Sequence, residues 1–200
     1  MTSEPRADRR TDPRVARSRA AVIAATLELL AVRGVAGTTI EAVAERSGVA
    51  KTTIYRQWAD QPALVRDAFA TTLAAPAVPD TGALRTDLLQ LADGLARALS
   101  SGPAAALTAA LLEAAERDPA YAELHRREAR QRHEALHAVV RRAAARGELP
   151  AGADADVALD LLAGPLFHRR WMTGGAIDAG FTATVVDATL AALQSRAAGG

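Results

Sequence analysis

Gly48 separates two short amphipathic runs, IEAVAERS and VAKTTIYRQW, and the residues around it leave few folds open. Ala44 stands four residues before the glycine, Val49 follows it, and Ile54 and Trp58 lie one helical turn apart beyond. Two helices that cross steeply over so short a stretch need a small side chain at the contact and a residue free to take positive φ in the turn. They also need apolar anchors on the inner face of the second helix. All three are present, so the segment reads as a helix-turn-helix. With Ile54 and Trp58 turned inward, helical geometry sends Lys51 and Tyr55 along one outer row and Thr52 and Arg56 along the next. That outer face is polar, basic and aromatic.

The flanks extend this reading. Residues 1–13 mix Arg6, Arg9 and Arg10 with two prolines and three acids and offer no apolar face, which predicts a flexible basic arm. From Arg14, the residues Ala16, Ala20, Ile23, Leu27, Leu30 and Ala31 recur at three- and four-residue spacing until Gly34, predicting a first helix of about five turns. Thr38 or Thr39 suits the cap of the second helix. Asp60 suits that of a fourth, with Pro62 tolerated in its first turn. Residues 14–74 are thus one small helical domain, and APAVPDTG at 75–82 is a seam. Beyond it, helices are expected near 83–100, 103–117, 119–146, 154–173 and 179–197, forming a second domain over residues 80–200. The helix at 154–173 is apolar nearly all round (Val157, Leu159, Leu161, Leu162, Leu166, Phe167, Trp171), so it belongs at the centre of that domain or against another chain. The fold class is all-α.

Composition restricts the chemistry. The chain has no cysteine, which removes disulfides, thiol nucleophiles and thiolate metal sites. Neither an apolar run long enough to span a membrane nor the apolar stretch of a secretory signal is found, so the expectation is a cytoplasmic protein without a membrane partner. Residues 1–70 carry eleven basic against eight acidic groups, a weak cationic bias that gains meaning only from the motif. Of the 24 Lys and Arg residues one alone is lysine, Lys51, at the tip of the second helix of the motif.

Residues 133–137 read HEALH, the H-E-x-x-H spacing by which zinc peptidases place two histidines and a general base on one helix face. On a wheel of this helix the apolar stripe runs through Leu124, His125, Ala135, Leu136, Val139 and Ala143. His133 and His137 fall on the other side with Arg126 and Arg130, facing water. Guanidiniums oppose a divalent cation, and no third ligand follows at a recognisable spacing. A zinc metallopeptidase built on His133, Glu134 and His137 is therefore a disfavoured alternative. A helical interaction module that binds no DNA is another, disfavoured by the polar face of the motif. No nucleophilic triad, phosphate loop, metal site or cofactor is expected.

The leading amphipathic helix, TTIEAVAERSGVAKTTIYRQW and a following helix that opens DQPALV together resemble the N-terminal DNA-binding domain of TetR-family (TetR/AcrR-like) transcriptional regulators, over residues 14 to about 70. The resemblance implies a three- to four-helix DNA-binding domain in which Lys51, Thr52 and Arg56 are candidate base readers. It makes Thr38 or Thr39, Thr53, Tyr55 and Gln57 candidate phosphate or backbone contacts, with Arg17 of the first helix beside them. Lys51 has the reach for guanine O6 or N7, or for a phosphate. Two positions depart from the family: Gln61 and Gln57 stand where it often has a basic residue and a histidine or tyrosine.

The C-terminal part resembles the family in architecture: about five helices that hold a ligand and pair two subunits. This implies double-stranded operator DNA, a homodimer and a small-molecule effector as partners. Leu88, Leu91, Leu95, Leu107, Leu111, Leu112, His125, Phe167 and Trp171 are candidates for a ligand pocket, with plain core packing the competing role. Leu162, Leu166, Val185 and Leu190 are candidates for the dimer interface, where the last two helices would form a four-helix bundle with their mates.

Overall fold

A computed structural model of the protein describes residues 13–72, 77–100, 102–150 and 152–195. The expected arm at 1–13, with Arg6, Arg9 and Arg10, lies outside the described residues except for Pro13, as does part of the expected seam. The described residues form helices joined by turns, with no strand among them: α1 (Pro13–Arg33), α2 (Ile40–Ser47), α3 (Lys51–Gln57), α4 (Gln61–Thr72), α5 (Leu84–Ser100), α6 (Gly102–Arg117), α7 (Pro119–Ala145), α8 (Ala155–His168) and α9 (Ala179–Ser195). The chain divides into two compact units, Met1–Phe69 and Ala70–Gly200.

Local chemistry sets the helix ends. Gly34 takes φ 65° and its N–H closes α1 on the Leu30 carbonyl at 3.0 Å. Asp60 accepts from Ala63 N at 2.7 Å and starts α4. Asp118 caps α7 through Ala120 N at 2.8 Å, with Pro119 in the first turn, where its missing N–H costs nothing. Asp154 caps α8 through the amides of Asp156 and Val157. The α8 helix runs over Pro165 into a π-helical turn, Arg169–Thr173, ended by Gly174 at φ 64°.

In the first unit α1 packs on α2 and α2 on α3 around Val22, Leu30, Val43, Ile54, Leu64 and Phe69. The buried stripe of α1 differs from the expected one. It runs through Val22 and Ile23, Ala25 and Thr26, and Leu29 and Leu30, while Ala16 and Ala20 are exposed. An alanine fits either environment, so periodicity in an alanine-rich helix leaves the start of the buried face undetermined.

In the second unit α5, α7, α8 and α9 surround a core that includes Leu88, Leu99, Val139, Leu162, Leu166, Val186 and Leu193, and α6 lies against α7. Polar ties cross the elements. Glu148 Oε2 accepts from Leu84 N at 2.8 Å and so caps α5 from 64 residues away. Arg85 makes a two-point contact with Asp187 of α9, and Thr182 donates to Asp93 at 2.8 Å. Asp87, fully buried, accepts from both the N–H and the hydroxyl of Thr81 and holds the turn before α5.

Candidate nucleic-acid interface

The turn between α2 and α3 has the geometry its sequence predicts. Gly48 adopts φ 70° and its N–H bonds the Ala44 carbonyl at 3.0 Å, ending α2 in a left-handed cap. A Cβ placed on Gly48 would meet nothing within 4 Å, so the glycine is needed for its backbone angle and not for space. Ser47 Oγ accepts from Val49 N at 3.2 Å and steadies the same turn.

On α3, Ile54 is fully buried and Trp58, just past its end, is 6% exposed; these are the two inward anchors. Lys51, Thr52, Tyr55 and Arg56 are all exposed, and Thr53 and Gln57 are half-buried at the margin. The expected polar face therefore exists and is free of the core. Arg17 is also exposed, on the second turn of α1.

The two threonines before α2 separate into different roles. Thr39 is the N-cap: its Oγ1 accepts from Ala42 N at 3.1 Å, and the side chain is exposed, so its O–H remains able to donate outward. Thr38 is fully buried and donates to the Gly34 carbonyl at 2.7 Å. The expectation that Thr38 meets DNA is therefore corrected: its hydroxyl closes the α1–α2 loop.

Several contacts of the site were not foreseen. The Trp58 indole N–H donates to Asp67 Oδ2 at 2.8 Å, and Arg19 donates to the same oxygen at 2.6 Å with its guanidinium 5.9 Å from the Trp58 ring centre. Gln61, where a basic residue is common, donates to the Val35 carbonyl at 3.0 Å and joins α4 to the α1–α2 loop. Lys51 Nζ lies 3.2 Å from Glu41 Oε1, so the lone lysine is paired across the turn. A carboxylate ten residues upstream on an exposed face is the only sequence signal for that pair, and it is not distinctive.

The H-E-x-x-H stretch does not assemble a metal centre. Glu134 pairs with Arg141 at 2.8 Å, and His137 Nε2 meets Asp156 Oδ1 at 2.8 Å. Among the described residues no three His, Asp or Glu side chains are placed to hold a metal ion. The wheel is corrected in one respect: His133 and His137 are half-buried, because α8 comes alongside α7 on that flank. Burial, followed by repulsion from Arg132 and then His137, pushes the His133 pKa down against the smaller pull of Asp156 and Asp160.

None of the predicted pocket residues lines the cleft at His137 and Arg141. Leu88, Leu107 and Leu111 are buried in packing, Leu91, Leu95 and Phe167 are partly buried against the core, and Leu112 and His125 are half-buried. Trp171, 36% exposed, stacks on Phe167 with ring centres 5.1 Å apart. That cleft, of about 410 Å³, is lined by His137, Val140, Arg141, Ala144, Ala145, Ala153 and Ala155. Of the expected interface residues, Leu162, Leu166 and Val185 are buried in the core of their own unit and Leu190 is partly buried against it. The apolar side chains that α8 and its π turn leave outside are Leu161, Trp171 and Met172.

Comparison with known proteins agrees with this geometry. Residues 22–68 match the family model described as bacterial regulatory proteins, tetR family, and residues 78–189 match that of the tetracyclin repressor-like, C-terminal domain. The chain is 30% identical over 192 residues to the uncharacterized HTH-type transcriptional regulator YdeS of Bacillus subtilis, covering 95% of this chain and 96% of that one. It is 32% identical over 177 residues to the DNA-binding transcriptional repressor TetR of Mycobacteroides abscessus, covering 87% and 92%. A crystal structure of the TetR family transcription regulator SCO0332 superposes with a TM-score of 0.65 at 33% identity, covering 88% of this chain and 97% of that one.

Proposed function

The chain belongs to the TetR family of bacterial transcriptional regulators, and from that premise we propose that it binds a palindromic operator as a homodimer and represses transcription until a small molecule releases it. It is a DNA-binding transcription regulator and not an enzyme. The observation that carries the finer reading is the exposed row of Lys51, Thr52, Tyr55 and Arg56 on a helix whose other side is anchored by Ile54 and Trp58.

A helix so placed presents hydrogen-bonding side chains to base edges in a major groove, while Thr39, Thr53, Tyr55, Gln57 and Arg17 reach for phosphates. Two such helices related by a two-fold axis read an inverted repeat. The partner surface we assign to α8 is its outer face at Leu161, since Leu162 and Leu166 are used by the chain's own core. Release follows from coupling: an effector that favours a subunit arrangement with the wrong spacing of recognition helices lowers operator affinity, and the operator lowers effector affinity equally. The cleft at His137 and Arg141 is the place we assign to such an effector. We assign the regulator to the cytoplasm, where its DNA lies; among the described residues no single helix is long and apolar enough to cross a membrane.

The test is fluorescence anisotropy of the full chain with a labelled duplex from its own upstream intergenic region, against excess nonspecific DNA. Competitor-resistant, salt-dependent binding supports the reading. Binding that competitor abolishes there, and in a selection from random-sequence duplexes, overturns it and leaves a helical interaction module.

A further inference from the structure

The reading face carries one carboxylate in direct contact with its cations. Glu41 stands in the first turn of α2, Lys51 opens α3, and their side chains meet at 3.2 Å across the turn while 64% and 53% exposed. The Glu41 pKa lies below the ordinary carboxylate range, held there first by its own backbone N–H and then by Lys51. It is therefore ionised whenever DNA is bound near neutral pH. A negative charge beside a groove-reading lysine opposes phosphate contact, so its position calls for an account.

We propose that Glu41 is a specificity-determining residue: it masks the charge of Lys51 in loose encounters with DNA and yields the lysine only to an acceptor on a base edge. The inference rests on the DNA-reading role proposed above. Nonspecific binding comes almost wholly from cations that displace counterions from phosphates, and a lysine already neutralised by a carboxylate displaces none. A Lys51 that reaches for a phosphate while still paired also carries Glu41 toward the polyanion. An exposed ion pair is weak and readily exchanged, so a close acceptor such as guanine O6 or N7 in a well-fitted groove takes its place. Lys51 then contributes where sequence is read and little where it is not.

The experiment compares the full-length wild type, Glu41→Gln, Lys51→Ala and the double variant on the operator and on a scrambled duplex of equal length, across a range of salt. Glutamine keeps the size of the side chain, and thermal melting verifies that each variant is folded. Glu41→Gln is expected to gain about one phosphate contact on scrambled DNA. Its slope of log affinity against log salt then steepens by about 0.9, and its affinity falls roughly threefold further than the wild type's between about 50 and about 200 mM salt. Operator affinity changes less, so discrimination narrows, and the double variant loses the gain. An unchanged slope on scrambled DNA overturns the inference. So does a double variant that keeps the whole gain, because the effect then belongs to Glu41's own repulsion. A wild type that does not discriminate operator from scrambled DNA overturns the DNA-reading role together with this inference. One that discriminates, with Glu41→Gln unaltered, overturns only this inference.

Discussion

The indole N–H of Trp58 donates to Asp67 Oδ2 across 2.8 Å, and the same oxygen accepts from Arg19 at 2.6 Å. One carboxylate on α4 thereby holds the end of the recognition helix and ties it to α1. Asp67→Ala leaves the indole N–H without this acceptor, and a loss of about 1–3 kcal/mol in urea unfolding is expected. Trp58→Phe keeps a ring and drops the donor. In a double-mutant cycle the two changes cost less together than their sum.

Gly48 is required for φ 70° alone. Gly48→Ala is expected to lower stability by about 1–2 kcal/mol, the cost of a Cβ in the left-handed region. Gly48→Asn costs less, since asparagine tolerates that region. Equal melting temperatures for the wild type and Gly48→Ala would contradict the assigned turn.

Thr38 and Thr39 are adjacent in sequence and separate in role. Thr38→Val removes a buried donor from the Gly34 carbonyl, so thermal stability falls while operator affinity of the folded protein is kept. Thr39→Val removes both the cap and an exposed hydroxyl, costing about 1 kcal/mol of stability and also weakening operator binding, measured by anisotropy. On α3, Arg56→Ala should relax base preference at one position at a cost of about 1–3 kcal/mol, whereas Tyr55→Phe weakens all sequences alike.

Burial is the leading cause that pushes the pKa values of His125 and His133 down, with repulsion from Arg132 next for both. The unfolded chain therefore takes up protons that the folded one resists. The stability these histidines contribute is full above about pH 6.5, the ordinary histidine value, and is lost as pH falls through the lowered folded values. Glu123 and Glu134, each lowered by hydrogen bonding to arginine, add a further loss as pH falls below about 4.5, and Asp187, lowered in the same way, adds one below about 3.8. Melting scans from pH 8 to about pH 2 should show both windows, and His133→Asn should flatten the upper one.

Leu161 and Leu162 test the proposed pairing of α8 with a second copy. Leu161→Asp should shift the protein from dimer to monomer in sedimentation with its helicity kept, since 38% of this side chain is exposed. Leu162→Ala opens a cavity in the core and should cost about 2–5 kcal/mol of stability instead. A dimer unaffected by Leu161→Asp would move the interface off this face.

The sequence by itself determined the helices and the motif. The expected span 119–146 lies within one residue of Pro119–Ala145, because Asp118 with Pro119 acts on its own neighbours, as the glycines after α1 and α2 do. The inward Ile54 and Trp58 were legible for the same reason: a period of 3.6 residues fixes which side chains share a face. The tertiary structure alone decided what each face meets. It buried Thr38, half-buried His137 against α8, turned Leu162 and Leu166 into the chain's own core, and joined Arg19 to Asp67 and Arg85 to Asp187, 48 and 102 residues apart. Periodicity is a property of one helix, whereas burial and pairing depend on which distant helix packs beside it.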